Sequence, residues 1–352
     1  MRVLQGAAAL TVAAVTALSG ATATSGPART PGTGRTPTPA SGSGPAARTS
    51  RIVIVPPGTN LSTVHVLAGH TYELVSGASY SGRLTVAADG VTVQSTGPGR
   101  WPVISRRSYG SDIQVTGRHD TVRWLRLTGR GYAGKNGYII GVAVDGQDDT
   151  VTDVRAFGNL YAGVYFEAGA AGGVLSRSVI DHCDALNPLR LGSGAFGVLL
   201  WGSHNTVTGN RIDNQVTASP VYGTDGSAVE VYGGRDNVIS GNTGANDKTF
   251  TELGGAGASG NRYTGNTFAG PGSFLITRGS GDKVDGPVYQ TTLTGNHVNG
   301  SVISYGWRGG DGTLLTLTGN TVSVPGGIAL WTDGGYLNGG HNVFTGKVIT
   351  RG

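Results

Sequence analysis

The chain has 352 residues, 63 of them glycine, with one methionine, one cysteine and a formal charge of +5. So much glycine argues against a helical protein and for many tight turns. Residues 1–50 hold Arg2, Arg29, Arg35 and Arg48 and no acid, so of 26 basic residues 22 remain against 21 acidic ones, which excludes the clustered basic footprint of a nucleic-acid binder.

In chain order, residues 1–23 read as a signal peptide. Arg2 precedes an apolar, Ala-rich run from Val3 to Leu18, and Ala21-Thr22-Ala23 forms an A-x-A cleavage site. The run is short and diluted by Gln5 and Gly6, so no membrane anchor is expected. The expected location is secreted and extracellular. Residues 24–50, almost all Thr, Pro, Ser, Gly, Ala and Arg, cannot bury a core and read as a disordered linker. Cys183 is alone, so no intramolecular disulfide staples the folded part, residues 51–352.

That part repeats. HNTVTGN (204–210), DNVISGN (236–242) and GNRYTGN (260–266) share two asparagines five positions apart, and degraded copies follow at 291–296, 314–320 and 341–347. Earlier relatives are HDTVRWL (119–125) and DDTVTDV (148–154). Their apolar markers are Val122, Val151, Leu175, Val207, Ile239, Tyr263, Leu293, Leu317 and Phe344, at intervals of 29, 24, 32, 32, 24, 30, 24 and 27 residues. Each interval holds two or three short strands broken by Gly, Asn and Asp, with no helical periodicity between them. That is one coil of a parallel β-solenoid, stacked on the next at about 4.8 Å. Asparagine at one turn position of every coil predicts a ladder of stacked side-chain amides.

With VPPGT…AGHTYELVSGASYSGRLTVAADGVTVQSTGPG (55–99) as entry coils, residues 51–352 resemble the right-handed parallel β-helix proteins of the pectate-lyase-like superfamily. The resemblance implies an all-β, single-stranded right-handed parallel β-helix of roughly nine to eleven coils. It also implies a polysaccharide partner, since the superfamily is mostly polysaccharide lyases and glycoside hydrolases, with some epimerases, tailspikes and adhesins. Fold alone does not choose among them.

Aligning the strands before each Asn motif puts Val142, Val144, Val164, Phe166, Val198, Leu200, Val229 and Val231 inside. Outside come Ala143, Asp145, Tyr165, Glu167, Leu199, Trp201, Glu230 and Tyr232. In TFTELGG (249–255) strict alignment would bury Glu252, so a one-residue slip is expected, with Phe250 and Glu252 outward and Thr251 and Leu253 inward. Glu230 and Glu252 then occupy adjacent rungs, an arrangement that suits an acid and a base or nucleophile. Tyr165, Trp201 and Tyr232 offer flat apolar faces for sugar rings. The two longest intervals place ALNPLRLGSG (185–194) and TASPVYGTDG (217–226) as cleft walls, bringing Arg190, Tyr222 and Asp225 to the site.

The expected function is cleavage of a polysaccharide by a glycoside hydrolase. Glu230 and Glu252 would act on the bond, Asp225 or Glu167 would assist, and Trp201, Tyr232, Tyr165, Tyr222 and Arg190 would bind sugar. No cofactor is required. Resemblance to the family's lyases supplies a rival, in which Glu167, Glu230 and Glu252 hold Ca²⁺ and Arg190, Lys248 or Arg278 is the base. A non-enzymatic glycan-binding solenoid is the third reading. DHCD (181–184) is a weaker metal candidate, and His119 and His204 read as turn residues. Arg278, Trp307, Arg308, Trp331 and Asp333 continue the same face as further subsites or a polar flank.

Overall fold

Each coil opens with a short strand whose central apolar residue points inward between β-branched or polar flanks, as in Thr121-Val122-Arg123, Thr150-Val151-Thr152 and Thr206-Val207-Thr208. The computed structural model describes residues 51–106, 108–129, 139–158, 160–184, 194–219, 223–255, 257–277, 288, 290–305, 315–332 and 336–350. The signal peptide and linker expected over 1–50 lie outside the described residues, as do Arg190, Tyr222, Arg278, Trp307, Arg308 and Asp333.

Three strand stacks build the helix. The first, twelve parallel strands among the described residues, runs from Ile52–Val55 to Tyr336–Asn338. Its inward column is Val122, Val151, Leu175, Val207, Ile239, Tyr263, Leu293 and Leu317, in direct register. The last expected marker is displaced: Leu317 pairs with Asn338, and Phe344 pairs with Val322 in the second stack. The second stack runs from Ser79–Tyr80 through strands such as Arg155–Phe157 and Arg211–Asp213 to His297–Asn299. The third includes Ile139–Val144, Ala162–Phe166, Phe196–Leu200, Ser227–Tyr232, Thr249–Gly254, Ser273–Thr277 and Val302–Tyr305. Near the C-terminal end these two stacks fuse, because Thr321–Thr332 is one strand pairing with both His297–Asn299 and Val302–Tyr305.

The core is a continuous column of Val, Leu, Ile and aromatic side chains along the axis. It takes in all eight residues expected inside the third stack. One expectation fails. Phe250 is fully buried in that core, stacked on Phe274 at 4.9 Å and tilted against Phe268 at 5.5 Å. At the corner entering the third stack two consecutive residues point inward: Ala228 with Val229, and Phe250 with Thr251. Simple alternation therefore misplaces the first.

Two asparagine ladders run beside the first stack. In one, the N–H of Asn210 donates to Asn242 Oδ1 at 3.0 Å, Asn242 to Asn266 at 3.0 Å, Asn266 to Asn296 at 3.0 Å and Asn296 to Asn320 at 3.0 Å. Each amide group also donates to a main-chain carbonyl of the coil before, such as Asn242 Nδ2 to Val207 O at 2.9 Å. The other ladder runs through Asn205, Asn237 and Asn261. Its N-terminal rungs are aspartates: Val91 N–H donates to Asp120 Oδ1 at 2.7 Å, and Asp120 N–H to Asp149 Oδ1 at 2.8 Å. These side chains are buried, so the ladders satisfy main-chain groups that no strand pairs. His119 and His204 sit just before ladder positions, in left-handed turn conformation with φ 58° and 60°.

Candidate functional site

The outward face of the third stack carries one column in register: Gln114, Ala143, Tyr165, Leu199, Glu230, Glu252, Ile276, Ser304 and Trp331. Glu230 pairs directly with Glu252, while Val229 pairs with Thr251 and Val231 with Leu253. The two carboxyls therefore stand on neighbouring strands, about 4.8 Å apart at the backbone. Thr251 and Leu253 face inward, the former hydrogen-bonded to Tyr263 Oη at 3.0 Å.

Two residues further along each strand lies a second outward row. Trp201 is 37% exposed and packs edge-on against Tyr165, with centroids 5.8 Å apart, and at 34° against Tyr232, 5.5 Å away. Three strands thus contribute one aromatic cluster, Tyr165 from the first row and Trp201 and Tyr232 from the second. Glu167 flanks it, half-buried. Burial raises its carboxyl above the usual range, and a hydrogen bond from Gln114 Nε2 at 3.2 Å opposes that shift, as does the Arg83 charge; Asp145 adds to the rise.

Glu230 and Glu252 face away from the core yet are only 4% and 7% exposed. Open display on a solvated face, as their outward position suggests, is not what the fold provides. Ser227 Oγ–H donates to Glu230 Oε2 at 2.9 Å and lies 2.9 Å from Thr249 Oγ1, fixing the carboxyl on its own strand. Asp225 ends a two-stranded antiparallel hairpin, Thr217–Ser219 with Gly223–Asp225, formed within one of the expected cleft walls. Its Oδ2 accepts from Gly194 N–H at 3.2 Å. Alternation alone could not show Ser227, Thr249 or Gln114. Nor did it show that Ile140, Ala143, Ala162, Phe196 and Leu199 make a buried apolar cluster at the N-terminal end of this face. The signal was there in the run of apolar residues at outward positions.

The weaker candidates make local contacts. His182 Nδ1 lies 2.7 Å from Asp181 Oδ1, and Cys183 is buried in the core with its N–H on Gln215 Oε1 at 3.1 Å. Among the described residues no three His, Cys, Asp or Glu side chains converge to hold a metal ion.

No protein family recognised from sequence matches the chain, and no curated protein does. Solved structures match along most of it. An alginate lyase from a Paenibacillus species superposes with a TM-score of 0.56 at 14% identity, covering 83% of this chain and 99% of that one. The Dettilon tailspike protein gives 0.55 at 17% identity, covering 78% of this chain and 53% of its own. A DFA-IIIase from Arthrobacter chlorophenolicus gives 0.53 at 12% identity, covering 80% and 76%. At such identities the likeness concerns the fold, one that carbohydrate-active enzymes use. The chain is a right-handed parallel β-helix protein.

Proposed function

We propose that this chain is a secreted enzyme that cleaves a polysaccharide by hydrolysis, with Glu230 and Glu252 as the acting carboxyls. The observation that carries the reading is their direct pairing on one face, on the rungs that follow Trp201. One carboxyl would protonate the glycosidic oxygen, and the other would attack the anomeric carbon or activate water. The hydroxyl of Ser227 positions Glu230. Burial of both carboxyls shields proton transfer from bulk water. Trp201, Tyr165 and Tyr232 would hold sugar rings through their C–H faces. Asp225 and Glu167 would assist, Glu167 being held towards its protonated form by burial. The alginate lyase among the structural neighbours supports a carbohydrate substrate.

The calcium-dependent lyase reading gains nothing from the geometry, because Glu167, Glu230 and Glu252 form no converging ligand set among the described residues. A screen of neutral and uronic-acid polysaccharides tests the proposal. New reducing ends without ultraviolet-absorbing unsaturated products are expected. Unsaturated products would make the protein a lyase, and binding without cleavage would make it a glycan-binding solenoid.

A further inference from the structure

Beyond Glu252 the outer face does not become an ordinary polar surface. The column continues as Ile276, Ser304 and Trp331, and there it sinks into a depression of about 650 Å³. Ile276, Val302, Ile328 and Trp331 form its apolar walls, and Ser273 and Ser304 are its hydroxyl-bearing residues. Among the described residues no charged side chain lines it.

The hollow is built into the fold. At its edge, a Cβ on Gly272 would collide with the Lys248 carbonyl oxygen, so that position must stay bare. On the far wall the register of the Thr321–Thr332 strand shifts between Ser323 and Ile328. The shift spans Val324-Pro325-Gly326-Gly327, where proline brings no N–H to a ladder. Ile328, just past the shift, is 37% exposed at the rim.

We propose that this hollow is a second sugar-binding site, which takes an uncharged ring of the glycan against Trp331. The inference rests on the function proposed above and narrows its substrate. A flat aromatic wall beside aliphatic side chains matches the C–H face of a pyranose, and sparse hydroxyls match its rim. A uronate carboxylate brought here would lose water and meet no cation among the described lining residues. Five strand-to-strand steps separate the Trp201 strand from the Trp331 strand, about 24 Å at about 4.8 Å each. Glu230 and Glu252 stand on the first two of those steps. A chain resting on Trp201 and reaching the hollow crosses both carboxyls, with the scissile bond nearer Trp201. The substrate is therefore a polymer with uncharged units on the Trp331 side, and a disaccharide cannot bridge both tryptophans.

Calorimetric titration with xylohexaose, cellohexaose, mannohexaose and hexagalacturonate tests this on the wild type, Trp331→Ala, Trp331→Phe, Ile328→Lys and Trp201→Ala. At least one neutral hexamer should bind the wild type. Trp331→Ala should weaken it tenfold or more, Trp331→Phe should recover most of the loss, and Ile328→Lys, at an exposed rim position, should weaken it without unfolding the protein. Full affinity in Trp331→Ala and Ile328→Lys, with loss in Trp201→Ala, would overturn the second site and leave the proposed function standing. Binding of hexagalacturonate alone would overturn its uncharged character. Binding of none of the four would remove both proposals.

Discussion

Replacing Asp149 with asparagine should free the N-terminal coils from a dependence on pH. In later coils the ladder amide donates to the carbonyl of the coil before: Asn205 Nδ2 to Ala170 O at 3.3 Å and Asn237 Nδ2 to Gly202 O at 3.1 Å. A Cβ on Gly202 or on Gly234 would be crowded by that carbonyl and that Nδ2. Gly146 is crowded in the same way by Gly117 O and Asp149 Oδ2, so an acceptor stands where the other rungs carry a donor. Gly117 is likewise crowded by Ala88 O and Asp120 Oδ2. Both Oδ2 atoms are buried without a donor, and a bound proton on each would supply the missing O–H. Burial accordingly pushes Asp120 up to about 7 and Asp149 up to about 6. Main-chain N–H bonds oppose the shift at both. Asp89 adds to it at both, Asp149 adds to it at Asp120, Asp148 adds to it at Asp149, and His119 lowers Asp149.

Both folded values lie above that of an unfolded aspartate, so between them the native state holds protons that the unfolded chain has released. Stability is then complete below about pH 4 and falls as pH rises through 6 and 7. About two units at Asp149 bound the loss at roughly 3 kcal/mol, near the top of the usual 1–3 kcal/mol for a buried group without its partner. Asparagine donates at every pH. Asp149→Asn should therefore match the wild type near pH 3.5 and exceed it near pH 8.5 by about 1–3 kcal/mol. Urea melts at the two pH values measure this. Hydrogen exchange at the Val91 and Asp120 amides, which bond to the two aspartates, localises it. An equal effect at both pH values, or a wild type whose stability is flat across them, would refute the protonated ladder.

Asn242→Ala and Asn320→Ala should each cost about 1–3 kcal/mol, because both side chains are fully buried and make the same set of bonds; negligible losses in urea melts would mean the ladder carries little stability. Burial pushes Asp247 up to about 8, helped by Asp213 and Asp181 and opposed by the Gln215 N–H, so Asp247→Asn should stabilise the protein in alkali and not in acid, as read from melting temperatures at the two extremes. Activity on the glycan found by screening should survive a calcium chelator, whereas loss restored by added calcium would return the lyase reading. A chain beginning at Arg51 should keep the β-type circular dichroism and the melting temperature of the whole protein, and a marked drop in either would show that residues 24–50 pack on the helix.

The repeat made the architecture legible because each coil must place one apolar residue at the same inward point, and Val122 to Leu317 do so. Phe344 broke the count because two stacks fuse in the strand Thr321–Thr332, which ends the spacing of the earlier coils. The pairing of Glu230 with Glu252 followed from the cost of burying a carboxylate in an apolar core. The same reasoning could not see the corner that turns Phe250 inward, since the bend lies in the backbone and not in the pattern. Asp120 and Asp149 stood in plain view in HDT and DDT, aligned with HNT and DNV. Their consequence emerged only when the carbonyl facing each Oδ2 was visible. The low exposure of Glu230 and Glu252 was not legible, because alternation assigns a side chain to a face without saying how open that face is.

The central claim is that Glu230 and Glu252 act together on a glycosidic bond. Turnover and thermal stability should be measured side by side for Glu230→Gln, Glu252→Gln and Trp201→Ala on the glycan that the screen identifies. Each Glu→Gln change should lower turnover by at least the 10²–10⁴-fold typical of a lost acid–base group. Melting should stay near that of the wild type, since glutamine keeps the volume and an acceptor for Ser227. Trp201→Ala should raise KM and leave turnover measurable. Full activity in Glu230→Gln would contradict the account and move the chemistry elsewhere on the helix.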